Sequence, residues 1–234
     1  MSTYVLVHGA WHGGWCWDLV APRLVAAGHQ VKTPTLTGLG ERCHLASRAI
    51  DLETHISDLL NHIAYENLKE VVLVAHSYAG FVAYGLADRN AAAIGRLILL
   101  DAFIPRDGET MADHVGGRGD EYRTAAAKDP DWLAPPPPIS VLGVGDEDAS
   151  WAEPRMTPQP VQTYLQPATV GPGMEFIASK LYISCTSPAL ATLDESKRRI
   201  AEAGWPVVEL ACGHDAMIAA PEELTGILLQ AVGD

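Results

Sequence analysis

Three residue types in this sequence could together make an activated nucleophile: Ser77, His214 and an aspartate that orients the histidine. A serine hydroxyl is a poor nucleophile near neutral pH. It needs a base to take its proton and a third group to hold that base. Ser77 stands where the apolar run Val71-Val72-Leu73-Val74-Ala75 stops, in Ala75-His76-Ser77-Tyr78-Ala79-Gly80. Small residues there suit a sharp, strained strand-to-helix turn that puts the hydroxyl at the tip of a sheet, a nucleophile elbow with Ala75 in place of its first glycine. His214, in Cys212-Gly213-His214-Asp215-Ala216-Met217, follows the last strand expected in the core. In a parallel sheet the loops after the strands emerge at one carboxyl edge, so Ser77 and His214 should meet there. The order serine, acid, histidine fits such a triad.

The acid has three candidates. Asp101 ends the strand after the Ser77 helix, again at the carboxyl edge. Asp194 lies in or before a later helix, and Asp215 would have to fold back on its neighbour His214. The loop Thr186-Ser187-Pro188-Ala189-Leu190 holds no carboxylate, which favours Asp101 over Asp194. An oxyanion formed during acyl transfer needs two backbone N–H donors. Tyr78, after the nucleophile, offers one, and the glycine-rich loop His8-Gly9-Ala10-Trp11-His12-Gly13-Gly14 offers the other, at Ala10 or Trp11. Trp11, His12, Phe103 and aromatic residues further along could line an apolar pocket, although core packing explains each equally well. His8 and His76 read as packing or turn residues. The glycine-rich loop lacks Gly-Lys-Ser/Thr and is not a phosphate loop.

The elements that must position these residues alternate. Thr3–Val7 reads as a first strand, Trp17–Ala27 as a helix stopped by Gly28, and His29–Lys32 as a second strand. Residues 35–47 read as a polar loop. Asp51 can cap a helix whose Leu52, Ile56, Leu59, Leu60 and Ile63 share one face. The strand Val71–Ala75, a helix over Ala79–Asp88 and the strand Arg96–Leu100 follow. Residues 106–179, with Pro135-Pro136-Pro137-Pro138 and scattered Trp132, Trp151, Tyr164 and Phe176, break the rhythm and read as a lid or cap inserted into a core of 1–105 and 180–234. The rhythm returns with a strand at Lys180–Cys185, a helix at Asp194–Ala203, a strand at Pro206–Leu210 and a helix over Pro221–Val232. Repeated crossovers predict a mostly parallel α/β sheet with helices on both faces.

Composition narrows the function classes. Hydrophobic residues make up 48% and charged residues 19% of 234 residues, enough for a sizeable core. The net charge of −13 disfavours nucleic acid and an anionic membrane surface as partners. Four cysteines without C-x-x-C spacing indicate neither a zinc site nor a redox pair, so no metal is expected. With no visible signal peptide and no apolar run of transmembrane length, a soluble cytoplasmic protein is expected, with a homodimer as one possible state.

Together the elbow, the His214 loop and the stretch Val5-Leu6-Val7-His8-Gly9-Ala10-Trp11-His12-Gly13-Gly14-Trp15-Cys16-Trp17 resemble the α/β-hydrolase fold. They are most similar to its branch of plant methyl esterases, hydroxynitrile lyases and pyrethroid-hydrolase-type carboxylesterases. The resemblance spans roughly residues 3–105 and 180–230. It implies a cofactor-free serine hydrolase with Ser77 and His214 in the triad, Ala10 and Tyr78 at the oxyanion hole, and six parallel strands in spatial order 2-1-3-4-5-6. Hydroxynitrile lyases of this branch have threonine and lysine where Gly9 and Asp215 stand here, which argues against cyanohydrin cleavage. Plant methyl esterases usually carry the acid after the penultimate strand, where this chain has none. Asp101 instead matches the acid position of some dehalogenases, whose aspartate nucleophile Ser77 excludes. The expected reaction is hydrolysis of a small or medium, largely apolar carboxylic ester through an acyl-enzyme. A lactonase, amidase or thioesterase of the same fold and a non-catalytic small-molecule receptor are the alternatives.

Overall fold

The computed structural model describes residues 1–126 and 132–233; residues 127–131, inside the expected insertion, and 234 lie outside the described residues. Strands β1 (Thr3–Val7), β2 (Gln30–Lys32), β3 (Val71–His76), β4 (Ile94–Leu100), β7 (Ser179–Cys185) and β8 (Val207–Leu210) form one sheet in the order β2-β1-β3-β4-β7-β8. Every pairing in it is parallel. This is the expected six-strand order. The two short strands β5 (Leu133–Ala134) and β6 (Gln159–Pro160) belong to the insertion and pair antiparallel with each other.

The period-two alternation of the strands divides the apolar residues between two layers. Val5, Val7, Val71, Leu73, Ala75, Leu97 and Leu99 face one core. There they meet α2 (Leu52–Tyr65) and α3 (Ala79–Asn90) through Ile56, Leu59, Phe81 and Leu86, and α7 (Asp194–Glu202) through Ile200. Tyr4, Leu6, Val72, Val74, Ile98 and Leu100 face the other, with Leu24 of α1 (Ala21–Ala26), Met217 of α8 (Ala216–Ala219) and Leu224 and Leu228 of α9 (Pro221–Gly233). The helix capped by Asp51 forms as expected: Thr54 N–H donates to Asp51 Oδ1 at 2.9 Å, which satisfies a first-turn donor.

Two local expectations differ. The helix expected over 17–27 is shorter, a 3-10 turn at Gly14–Trp17 followed by α1, because Pro22 suits only a first turn. The polar stretch 35–47 contains a 3-10 helix, Gly40–Leu45. Between β4 and β7 the chain also forms α4 (Arg118–Ala126), α5 (Asp146–Ala152) and α6 (Gln162–Leu165), short helices that the sequence does not announce. Trp11 ties this stretch to the first loop. Its carbonyl accepts from Thr157 N–H at 2.8 Å, and its indole Nε1–H donates to Ala134 C=O at 3.1 Å.

Candidate active site

Ser77 follows β3 and precedes α3 with φ +55°, in the left-handed region that non-glycine residues rarely occupy. The turn is held from both sides. Ser77 N–H donates to Leu100 C=O at 3.1 Å, and Ser77 C=O accepts from Gly80 N–H and Phe103 N–H, each at 3.0 Å. Both positions two residues from the serine are alanines, Ala75 and Ala79, and Gly80 follows them. A β-carbon there would sit 2.1 Å from Phe103 O. Across the turn, a β-carbon on Gly9 would lie 2.9 Å from both Ser77 Cβ and His76 Nδ1. The first loop can approach the serine only because Gly9 lacks that carbon.

The three sequence candidates meet at the carboxyl edge of the sheet. His214 Nε2 lies 2.8 Å from Ser77 Oγ, and His214 Nδ1 lies 2.7 Å from Asp101 Oδ2. Asp101 is fully buried and also has positive φ, +41°, directly after β4. Its other oxygen accepts from Cys185 N–H at 3.1 Å and lies 3.5 Å from Lys197 Nζ. Both carboxylate oxygens are thus engaged, and the one facing His214 can only accept. The imidazole therefore carries its proton on Nδ1 and presents a bare Nε2 to the serine. Asp194 is exposed at the start of α7, and both ring nitrogens of His214 are engaged by Asp101 and Ser77.

Around this chain of contacts runs a second buried group that the sequence reading missed. Asp215, beside His214, is fully buried and bonds His12 instead, with Oδ2 at 3.1 Å from His12 Nε2. His12 Nδ1 faces Ala10 C=O at 2.7 Å. Both ring nitrogens face acceptors, an arrangement that suits a protonated ring paired with a carboxylate. Burial opposes the charged ring, but the Asp215 carboxylate outweighs it and holds His12 above its ordinary pKa of 6.5. Burial likewise opposes ionised Asp215, and His12 holds it below 3.8. His76 is pushed down to about 3, chiefly by burial, and then by His214, so it is neutral; its Nε2 lies 3.0 Å from His214 C=O. His8 bonds within its loop as expected and is also pushed down to about 3, mainly by burial. His76, His214 and Asp215 come within 4.8 Å of one another, a spacing that could hold a metal ion. However, His214 has both ring nitrogens engaged by Ser77 and Asp101, and Asp215 is paired with His12.

A cavity of about 210 Å³ opens above Ser77 and His214. Ala10, Trp11 and Phe103 line it as the sequence suggests; His12 does not. Trp11 N–H is taken by Gln159 Oε1 at 3.2 Å, so it is not free to serve as the donor expected of the first loop. The Tyr78 ring points away, its hydroxyl 3.0 Å from His55 Nδ1, so only its backbone is near the serine. The remaining wall includes Met111, Arg118, Leu142, Tyr164 and Leu190. Of the aromatic residues flagged in the insertion, Tyr164 reaches the cavity, Trp151 packs edge-on against Trp15, and Phe176 is 73% exposed.

Residues 4–226 match the sequence model of the alpha/beta hydrolase family. The chain belongs to that family. Among curated relatives, a carbendazim hydrolyzing esterase from Nocardioides sp. (strain SG-4G) is 39% identical, the match covering 96% of this chain and 97% of that one. Methylesterase 7 of Arabidopsis thaliana is 26% identical over 98% of this chain and 95% of its own. Solved structures agree on the fold. An extracellular alpha/beta-hydrolase from a Paenibacillus species superposes with a TM-score of 0.86 at 20% identity, covering 99% of both chains. A methylesterase from Arabidopsis gives 0.79 at 24% identity, over 100% of this chain and 99% of that one.

Proposed function

We propose that this chain is a serine carboxylesterase that hydrolyses small, largely apolar carboxylic esters through an acyl-enzyme. The observation that carries this reading is the unbroken chain Ser77 Oγ, His214 and Asp101, with contacts of 2.8 and 2.7 Å, at the floor of an apolar cavity. The esterase relatives supply the reaction class.

In the first half-reaction His214 Nε2 takes the Ser77 proton as Oγ bonds to the ester carbonyl carbon. The backbone N–H groups of Tyr78 and Ala10 hold the oxyanion. The intermediate collapses with cleavage of the carbon–alkoxide bond, and the imidazolium gives its proton to the leaving alcohol. Water then attacks the acyl-enzyme and loses a proton to His214. The carboxylic acid departs as the Ser77 oxygen recovers its proton. Asp101 fixes the tautomer and stabilises the imidazolium throughout. Trp11 and Phe103 contact the substrate. His12 acts from outside the cavity by bracing Ala10.

Residues 106–179 serve as a cap on the remaining core, since Met111, Arg118, Leu142 and Tyr164 of the cavity wall come from that stretch. At about 210 Å³ the cavity falls below the usual range of roughly 300–1,000 Å³ for sites that hold drug-sized ligands, so the substrate is compact. The test of the reaction class is turnover of short-chain p-nitrophenyl and methyl esters by wild type and Ser77→Ala. Hydrolysis that survives in Ser77→Ala would overturn the proposal.

A further inference from the structure

Most of the cavity wall is apolar, but one full charge faces it. Arg118, the first residue of α4, is half-buried among the lining residues. Its guanidinium carbon lies 5.7 Å from the Trp11 ring centroid and 5.6 Å from that of Tyr122. Such stacking offsets part of the cost of removing the cation from water but leaves its N–H donors mostly unused. Among the described residues its sole hydrogen bond is a long one, 3.4 Å, to Pro135 C=O, and no described carboxylate pairs with it. Elsewhere Arg89, Arg123, Arg198 and Arg199 all lie against carboxylates.

A second donor belongs to the same cavity wall. The Tyr164 ring lines the same cavity and packs 4.9 Å from the Tyr122 ring, yet its buried hydroxyl has no hydrogen-bond partner. Buried polar groups normally find partners, so the orphaned Tyr164 hydroxyl, next to a guanidinium with few protein partners, marks a wall short of acceptors. For the guanidinium, which faces the cavity, an acceptor can come from the molecule that fills it.

We propose that Arg118, with Tyr164 beside it, forms a specificity subsite for an sp² oxygen that the substrate carries in addition to its scissile ester. That oxygen is either the carboxylate of a half-ester or the carbonyl of a keto ester. The inference rests on the esterase reading of Ser77 and narrows it to compact bifunctional esters. A planar guanidinium matches both kinds of oxygen, and its charge favours the carboxylate. The net charge of −13 gives an anionic substrate no long-range attraction, so any preference arises at this contact.

The test compares kcat/KM for methyl hexanoate, methyl 5-oxohexanoate and monomethyl glutarate in wild type, Arg118→Met and Tyr164→Phe. Wild type should favour at least one oxygenated ester over methyl hexanoate by about tenfold or more, as expected for a hydrogen bond to a charged group. Arg118→Met should bring that ratio to within about twofold, mainly through KM, and Tyr164→Phe should reduce it several-fold. The ratio is internal to each variant, so a general loss of folded protein does not move it. No preference in wild type, or a preference that survives in Arg118→Met, overturns the subsite. Failure to turn over any of the three esters while a fluorophosphonate still labels Ser77 also overturns it. Failure of both turnover and labelling overturns the esterase reading itself.

Discussion

Replacing Asp101 with asparagine changes one atom and should disable the base. The carboxylate has two distinct faces: Oδ2 receives the His214 Nδ1 proton at 2.7 Å, and Oδ1 receives Cys185 N–H at 3.1 Å with Lys197 Nζ at 3.5 Å. An asparagine must choose. If its NH₂ turned toward Cys185 and Lys197, donors would face donors in a fully buried place. The favoured orientation keeps oxygen there and points the NH₂ at His214 Nδ1. The imidazole must then accept at Nδ1 and carry its proton on Nε2, where it can no longer take one from Ser77. A wrong-tautomer histidine of this kind lowers kcat by about 10⁴-fold, equivalent to about 5.5 kcal/mol of transition-state stabilisation. The shape of the side chain is kept, so Asp101→Asn should fold. Asp194→Asn, exposed at the start of α7, should stay within about twofold of wild type. The assay is kcat on p-nitrophenyl acetate, with circular dichroism to confirm the fold. A kcat for Asp101→Asn within tenfold of wild type would refute the orienting role, and a larger loss in Asp194→Asn would move the acid there.

Two further perturbations test the surroundings of the triad. Asp215→Asn leaves the His12 imidazolium without its counter-charge, and breaking a buried pair from one side costs about 3–5 kcal/mol. The pH dependence follows from the shifts. Because folding raises the pKa of His12, its contribution is full below the unfolded value of 6.5 and is lost as pH rises through the folded value. Because folding lowers that of Asp215, its contribution is present above 3.8 and is lost as pH falls through the folded value. Urea midpoints from pH 6 to pH 9 should therefore fall for wild type and change less for Asp215→Asn; parallel curves would contradict the ion pair. Gly9→Ala puts a carbon 2.9 Å from Ser77 Cβ and should push the first loop off the nucleophile, with a loss in kcat of about 10²-fold. Stopped-flow acylation at a normal rate in that variant would show that the loop has room to yield.

Buried parallel strands announce themselves, which is why β3 with Ser77 and the loop after β8 with His214 were legible. A run such as Val71–Ala75 has few alternatives, and topology then forces every strand end to one edge. The sequence favoured Asp101 over Asp194, since the 186–190 loop offers no carboxylate and Asp101 ends a strand at the same edge. The His12–Asp215 pair was not legible. The two residues are 203 positions apart, and nothing local separates a histidine that lines a cavity from one that reaches beneath it to another loop. Arg118 was hidden for a different reason. Helix α4 is short and carries no clear apolar stripe, so its contact with the cavity depends on tertiary packing of an irregular insertion; Tyr164 was visible only as one of several scattered aromatics.

The most direct test of the central claim is labelling by a fluorophosphonate probe, read by intact mass, on wild type and Ser77→Ala in parallel. Contacts of 2.8 and 2.7 Å from Ser77 through His214 to Asp101 predict one adduct on wild type and none on the variant. An unlabelled wild type, or equal labelling of both proteins, would contradict an activated nucleophile at Ser77.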